Sequence, residues 1–153
     1  MKYAEFKNEI ENIYSKYFPE SICNVKIFHC MGQAITIDCY MAGDKTEFPY
    51  GYAVNDMLSI SFMAFLPNHF TKEDDLPENL TYTAQSHSYK VKSESKYLAY
   101  DRKSVSYRKT TGSEKFVKAF EKFVKRLHDS IIDDMTAGNV HAEYKELVER
   151  KVK

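Results

Sequence analysis

Seven cations and four tyrosines alternate within residues 88–109, SYKVKSESKYLAYDRKSVSYRK. Lys90, Lys92, Lys96, Arg102, Lys103, Arg108 and Lys109 supply the charge, and Tyr89, Tyr97, Tyr100 and Tyr107 supply the rings. Cations of this kind neutralise phosphates, and adjacent phenol rings stack on unpaired bases at about 1–3 kcal/mol per base. The same pair of residue types also makes protein-binding hot spots, because a ring and a guanidinium both bury well against a partner. A third reading is a solvated sheet face whose lysines protect an edge strand from pairing with other chains. The counterpart is the acidic cluster Glu73-Asp74-Asp75, with Glu78, inside residues 67–79. An acidic loop imitates phosphates when it docks on a nucleic-acid-binding protein, or it is simply hydrated.

Reaction chemistry is harder to place. Glu94-Ser95-Lys96 has the E-x-K spacing of metal-dependent nucleases, in which a carboxylate holds the cation and a lysine orients water. Asp38 would have to be the other ligand, and Glu94 sits between serines instead of inside an apolar strand. A zinc site needs closely spaced thiolates and imidazoles. Cys23, His29, Cys30 and Cys39 are near one another in sequence, but alternation puts Cys30 in a turn and Cys23 on a core face. No G-x-S-x-G elbow, Walker loop or G-x-G-x-x-G turn is present, so those routes to nucleophilic catalysis and nucleotide binding are excluded. The expectation is no cofactor, no metal and no catalytic residue.

The charges are segregated although they sum to zero. Residues 1–84 hold six lysines against twelve acids, whereas residues 85–128 hold twelve Lys or Arg against four acids. An acidic front and a basic middle suit steering of a charged partner more than wholesale coating of nucleic acid.

The elements that must position these residues are visible in the hydrophobic periodicity. Phe116, Phe120, Phe123, Leu127 and Ile131, with Val117 and Val124 beside them, recur at steps of three and four and predict a long amphipathic helix over residues 113–135. Four of its side chains are large, so it needs a broad apolar partner such as a sheet. Lys115, Lys118, Lys122 and Lys125 continue positive charge along its exposed side. Thr111 with Glu114 fits a capping box, Ser113 is a rival cap, and Gly138 ends the helix. A second helix is expected over residues 4–18 with Tyr3, Phe6, Ile10, Ile13 and Tyr17 inward, stopped by Pro19. A third, short one, capped by Asn139, carries Val140, Tyr144 and Leu147.

Between the helices lie candidate strands. Cys23, Val25, Ile27 and His29 alternate, as do Ile35, Ile37, Cys39 and Met41, around the three-residue loop Cys30-Met31-Gly32. That register pairs Val25 with Ile37, Ile27 with Ile35 and Cys23 with Cys39, either as packed thiols or as a cross-strand disulfide. Residues 42–56 form a turn-rich connection, and 57–66 a third strand with Leu58, Ile60, Phe62 and Ala64 inward. Thr71 is placed to cap one helical turn in the acidic loop. In the fourth strand, residues 80–92, the apolar parity switches, which predicts a bulge near residues 85–88. Two shorter strands, KYLAY and SVSYRK, are expected to join around Asp101-Arg102-Lys103.

The chain reads as one α+β domain: an antiparallel sheet of about five or six strands, a long C-terminal helix across it and an N-terminal helix beside that. No apolar run nears the ~20 residues of a membrane span, and a cytoplasmic location is expected from three cysteines without C-x-x-C spacing. In its composition, rich in Lys, Glu, Tyr, Ile and Asn, the whole chain resembles the small accessory proteins of phages and prophages of low-GC bacteria. That resemblance implies a stoichiometric inhibitor of a host machine, anti-CRISPR proteins among the possibilities, and carries over no functional position. The leading expectation is therefore non-catalytic binding to a host or phage protein through Tyr89, Lys90, Lys92, Lys96, Tyr97, Tyr100, Arg102, Lys103, Tyr107, Arg108 and Lys109, with Glu73, Asp74 and Asp75 as a second contact. Single-stranded nucleic-acid binding is the alternative, and a metal nuclease at Glu94 and Lys96 the third.

Overall fold

The computed structural model describes residues 1–19, 22–29, 31–42, 56–92, 100–104 and 107–138, with backbone alone at 22, 40–42, 56–57, 85–92, 100–104 and 135. In chain order these form α1 (Tyr3–Tyr17), β1 (Ile22–His29), β2 (Gln33–Ala42), β3 (Asp56–Leu66), β4 (Leu80–Lys92), β5 (Tyr100–Ser104), β6 (Arg108–Thr111) and α2 (Ser113–Thr136). The protein is an α+β fold with one antiparallel sheet. Of the turn-rich connection expected at residues 42–56, residues 43–55 lie outside the described residues, as does the short helix expected from Asn139.

Strand order is β1-β2-β3-β4-β5, and β6 also pairs with β4. Because β5 matches residues 88–92 of β4 and β6 matches residues 80–83, the two run along one edge as a single interrupted strand. The Ala84 amide donates to the Tyr107 carbonyl at 3.0 Å and continues the ladder between them. This corrects the turn expected at Asp101-Arg102-Lys103: all three residues are in β5. Three consecutive polar residues look like a turn, yet on an edge strand a polar run is tolerated and even protective. The pairing that overrides local preference is with β4, a partner invisible in the local pattern.

The β1–β2 hairpin has the expected register, with Val25 opposite Ile37, Ile27 opposite Ile35 and Cys23 opposite Cys39. Both cysteines are free thiols, their Sγ atoms 2.9 Å apart. The turn itself differs from expectation. Met31 as well as Gly32 is left-handed, at φ 55° and 122°, an unusual conformation for a residue with a side chain. The parity switch in β4 is a one-residue bulge: Phe62 pairs with Ala84 and Ser61 with Ser86, leaving Gln85 extra.

One face of the sheet is covered by both helices, and the core lies between. Phe62 in β3 sits at its centre, with its ring edge-on to Phe116, Phe120 and Phe123 at centroid distances of 5.7, 5.8 and 5.3 Å. These three come from the stripe predicted on α2, so the step of three and four reports the buried face correctly. On α1 the stripe is Tyr3, Phe6, Ile10, Tyr14 and Tyr17, with Ile13 only half-buried. Tyr14 takes the place expected for Ile13 because the step from Ile10 is four residues. The α2 N-terminus also departs from both expected caps: the Gly112 carbonyl accepts the Phe116 amide at 3.0 Å, so Gly112 occupies the cap position between Thr111 and Ser113.

The free edge of β1 is capped. The Val25 carbonyl accepts bonds from the Tyr3 hydroxyl at 3.2 Å and from Lys7 Nζ at 2.8 Å. A lysine and a phenol laid across an open edge block its pairing with another strand.

Candidate functional site

The opposite face of the sheet, away from both helices, is where the binding residues have to be sought. Its rows follow from the register. Phe28, Ala34 and Phe65 lie side by side across β1, β2 and β3, followed by Lys26, Thr36 and Met63, and then Asn24, Asp38 and Ser61. Ala34 is buried although it faces outward, because a phenylalanine stands on each side of it. Those rings are themselves open to solvent, Phe28 by 47% and Phe65 by 69%, and Met31 in the adjoining turn is fully exposed. In the third row the Ser61 hydroxyl donates to Asp38 Oδ1 at 2.8 Å.

Farther along, Ser59 pairs with Ser88 and Ser88 with Ser104, so the same face continues onto β4 and β5. The next positions on it are Lys90 opposite Arg102 and Lys92 opposite Tyr100. Four positions chosen for charge and ring content, separated by up to twelve places in sequence, are thereby gathered on one face of a two-stranded ribbon. Tyr89 and Lys103 pair with each other there too, but in register with the buried Leu58, on the helix-facing side. Lys96 and Tyr97 lie outside the described residues, as do Glu94 and the E-x-K motif.

Two groups separate from this ribbon. Tyr107 turns inward: its ring meets Phe62 and Phe116 edge-on at 5.6 and 6.1 Å, and its hydroxyl is buried. Burial raises its pKa above the ordinary phenol value. It is partly buried and packs its ring against the core, so, contrary to expectation, it does not present that ring to a partner; the neighbouring Arg108 and Lys109 are exposed on β6. Lys115, Lys118, Lys122 and Lys125 line the solvent side of α2, across the sheet from the open face. Positive charge therefore occupies two sides of the molecule, and the helix lysines do not extend the ribbon.

The acidic loop is anchored to the N-terminus. Lys2 Nζ donates to the Glu73 carbonyl at 2.6 Å and approaches Asp75 Oδ1 at 3.5 Å, while the Leu76 amide donates to the Met1 carbonyl at 2.9 Å. Asp74 Oδ2 accepts the Thr71 amide at 2.9 Å and the Thr71 hydroxyl at 3.2 Å. The backbone bond from Thr71 holds the Asp74 carboxyl below its usual range. Thr71 thus starts a single turn closed by Asp74 from the far side, not the helical turn that it was expected to cap. The loop enters β4 at Leu80, and at ~3.3 Å per residue Lys90 is about 30 Å farther along the strand. Glu73, Asp74 and Asp75 stand at the other end of β4 from the cationic ribbon.

Phe28, Met31 and Phe65 were not singled out by sequence reasoning. The signal was present: each phenylalanine has the parity of its strand's polar residues, out of phase with Val25 and Ile27 or with Phe62 and Ala64. Among the described residues no group of three or more His, Cys, Asp or Glu could hold a metal ion, and no helix is long and apolar enough to cross a membrane. Compared with protein-family models, with curated proteins and with solved structures, the chain matches none.

Proposed function

We propose that this chain is a non-catalytic protein-binding domain whose contact surface is the open face of the sheet. The observation that carries the reading is the grading of that face, from exposed phenyl rings at Phe28 and Phe65, through serines and Asp38, to paired cationic positions at Lys90 and Arg102. An apolar anchor on the same face as charged positions matches the anatomy of a protein interface. A solvated face kept only for solubility has no use for two exposed phenylalanines flanking Ala34, which cost solubility. The accessory-protein composition fits an inhibitor-type role in the cytoplasm, of the kind phages direct against a host machine. The test is capture of the partner by the wild-type chain and by a Lys90→Glu, Lys92→Glu, Arg102→Glu variant of unchanged melting temperature. Undiminished capture by the variant removes this surface from consideration.

Single-stranded nucleic acid is the second reading, favoured by the register that sets a lysine position, Lys92, opposite a tyrosine position, Tyr100. It predicts that affinity for short oligonucleotides falls steeply between two salt concentrations. Fluorescence anisotropy without binding at low salt eliminates it.

A further inference from the structure

We propose that Cys23 and Cys39 are a thiol pair that oxidises to a disulfide, fastening the edge strand β1 to β2. The pairing geometry supports it independently of any known activity. The Val25 carbonyl points away from β2, where it is held by Tyr3 and Lys7, so Val25 and Ile37 form a non-hydrogen-bonded pair. Cys23 and Cys39, two residues along, share that class. In such pairs the Cα atoms are about 4.5 Å apart, inside the roughly 4.4–6.8 Å range that a disulfide spans. The two Sγ atoms are already 2.9 Å apart, so no backbone movement is needed.

The two thiols differ in access. Cys39 is buried, whereas Cys23 is half-exposed on the edge strand. Desolvation pushes the Cys39 thiol well up, so it stays protonated and the reaction begins at Cys23. With hydrogen peroxide as oxidant, the Cys23 sulfur attacks one peroxide oxygen, the O–O bond breaks and the other oxygen leaves as water. The resulting Cys23 sulfenic acid is attacked by Cys39 Sγ; the S–O bond breaks and the hydroxyl leaves with the Cys39 thiol proton as a second water. Two thiols lose two electrons and two hydrogens, and one peroxide becomes two waters. The adjacency of Cys39 favours this closure over further oxidation of Cys23, because the resolving thiol is in place before the sulfenic acid forms.

The loop closed by this bond holds 15 residues, 24–38, a length at which crosslinking removes substantial entropy from the unfolded chain. The test uses the full chain carrying Cys30→Ser, which leaves only the proposed pair, alongside the wild type. After treatment with hydrogen peroxide, remaining thiols are alkylated and a non-reducing tryptic digest is examined by mass spectrometry. The expected product joins the peptide of residues 17–26 to that of residues 27–45, two hydrogen masses below their sum. Oxidised protein should melt higher by roughly 5–10 °C, reversibly with dithiothreitol. In the wild type the same linkage should form, with Cys30 alkylated. A Cys23 sulfinic acid beside an alkylated Cys39, or an oxidised chain that melts no higher than the reduced one, overturns the proposal.

Discussion

Tyr82 and Phe116 stack face to face, ring centroids 3.8 Å apart and planes 9° from parallel. One ring comes from β4 and the other from α2, so the contact is the seam between the sheet and the helix that covers it. Phe6 of α1 lies against both, at 6.2 Å from Tyr82 and 6.0 Å from Phe116. Three elements, α1, β4 and α2, are joined through these rings. The Tyr82 hydroxyl is buried without a hydrogen-bond partner among the described residues.

Truncating this seam should be costly, whereas trimming its hydroxyl should not. Phe116→Ala is expected to destabilise by about 3–5 kcal/mol, since it opens a cavity among packed aromatics. Tyr82→Phe keeps the stack and removes an unsatisfied buried group, so it should be neutral or stabilising by up to about 1 kcal/mol. Urea unfolding of the two variants beside the wild type distinguishes these outcomes. A Tyr82→Phe variant that loses several kcal/mol would mean that the hydroxyl is bonded.

Stability should fall in alkali. Desolvation raises the Tyr82 phenol, with the nearby Tyr107 adding to the shift, and burial likewise raises Tyr3, Tyr107 and the Cys39 thiol. Below the unfolded values, near pH 8.5 for a thiol and pH 10 for a phenol, both states hold these protons and stability is complete. Above them the unfolded chain ionises first, so folding free energy declines by about 1.4 kcal/mol per pH unit for each fully buried group. Melting temperatures from neutrality to about pH 11 should trace this decline, and Tyr82→Phe should shallow its upper part. A flat profile in the wild type contradicts it.

Gln33 ties the acidic loop to the hairpin. Its side-chain amide donates toward the carbonyls of Asn68 at 2.9 Å, Phe70 at 3.0 Å and Pro67 at 3.4 Å. Gln33→Ala should cost about 1–2 kcal/mol and leave the Asn68 and Phe70 carbonyls to water, the Pro67 carbonyl keeping the Phe70 amide. Hydrogen exchange at the Phe70 and Asp74 amides, which close this loop through Pro67 and Thr71, should accelerate more than exchange in β2. Equal acceleration in both places would point to global destabilisation instead.

Much of the architecture is legible in the residues because it is local. The β1–β2 register follows from alternation plus a three-residue turn, the β4 bulge from a parity switch, and the buried face of α2 from a 3.6-residue period. Errors arise where a distant partner decides. Asp101-Arg102-Lys103 has turn composition but becomes a strand by pairing with β4, and Tyr107 has the neighbours of a surface residue but fills the space beside Phe62 and Phe116. The candidate surface was half visible. Its cations and rings are plain in the sequence, whereas its apolar end depends on which parity of Phe28 and Phe65 the helices leave uncovered. The acidic loop lies at the far end of β4 from the cationic ribbon and the helix lysines lie on the other side of the sheet, a matter of topology that charge counting does not report.

The central claim is that the cationic end of the open face grips a protein. The most direct measurement is quantitative capture from a lysate of the source organism by the wild-type chain, by the Lys90→Glu, Lys92→Glu, Arg102→Glu variant and by Phe65→Ser, each first shown to melt within a few degrees of the wild type. Protein retained by the wild type should bind either variant about 30-fold or more weakly, as expected when an interfacial charge or anchor is lost. Equal retention by all three chains would contradict the account.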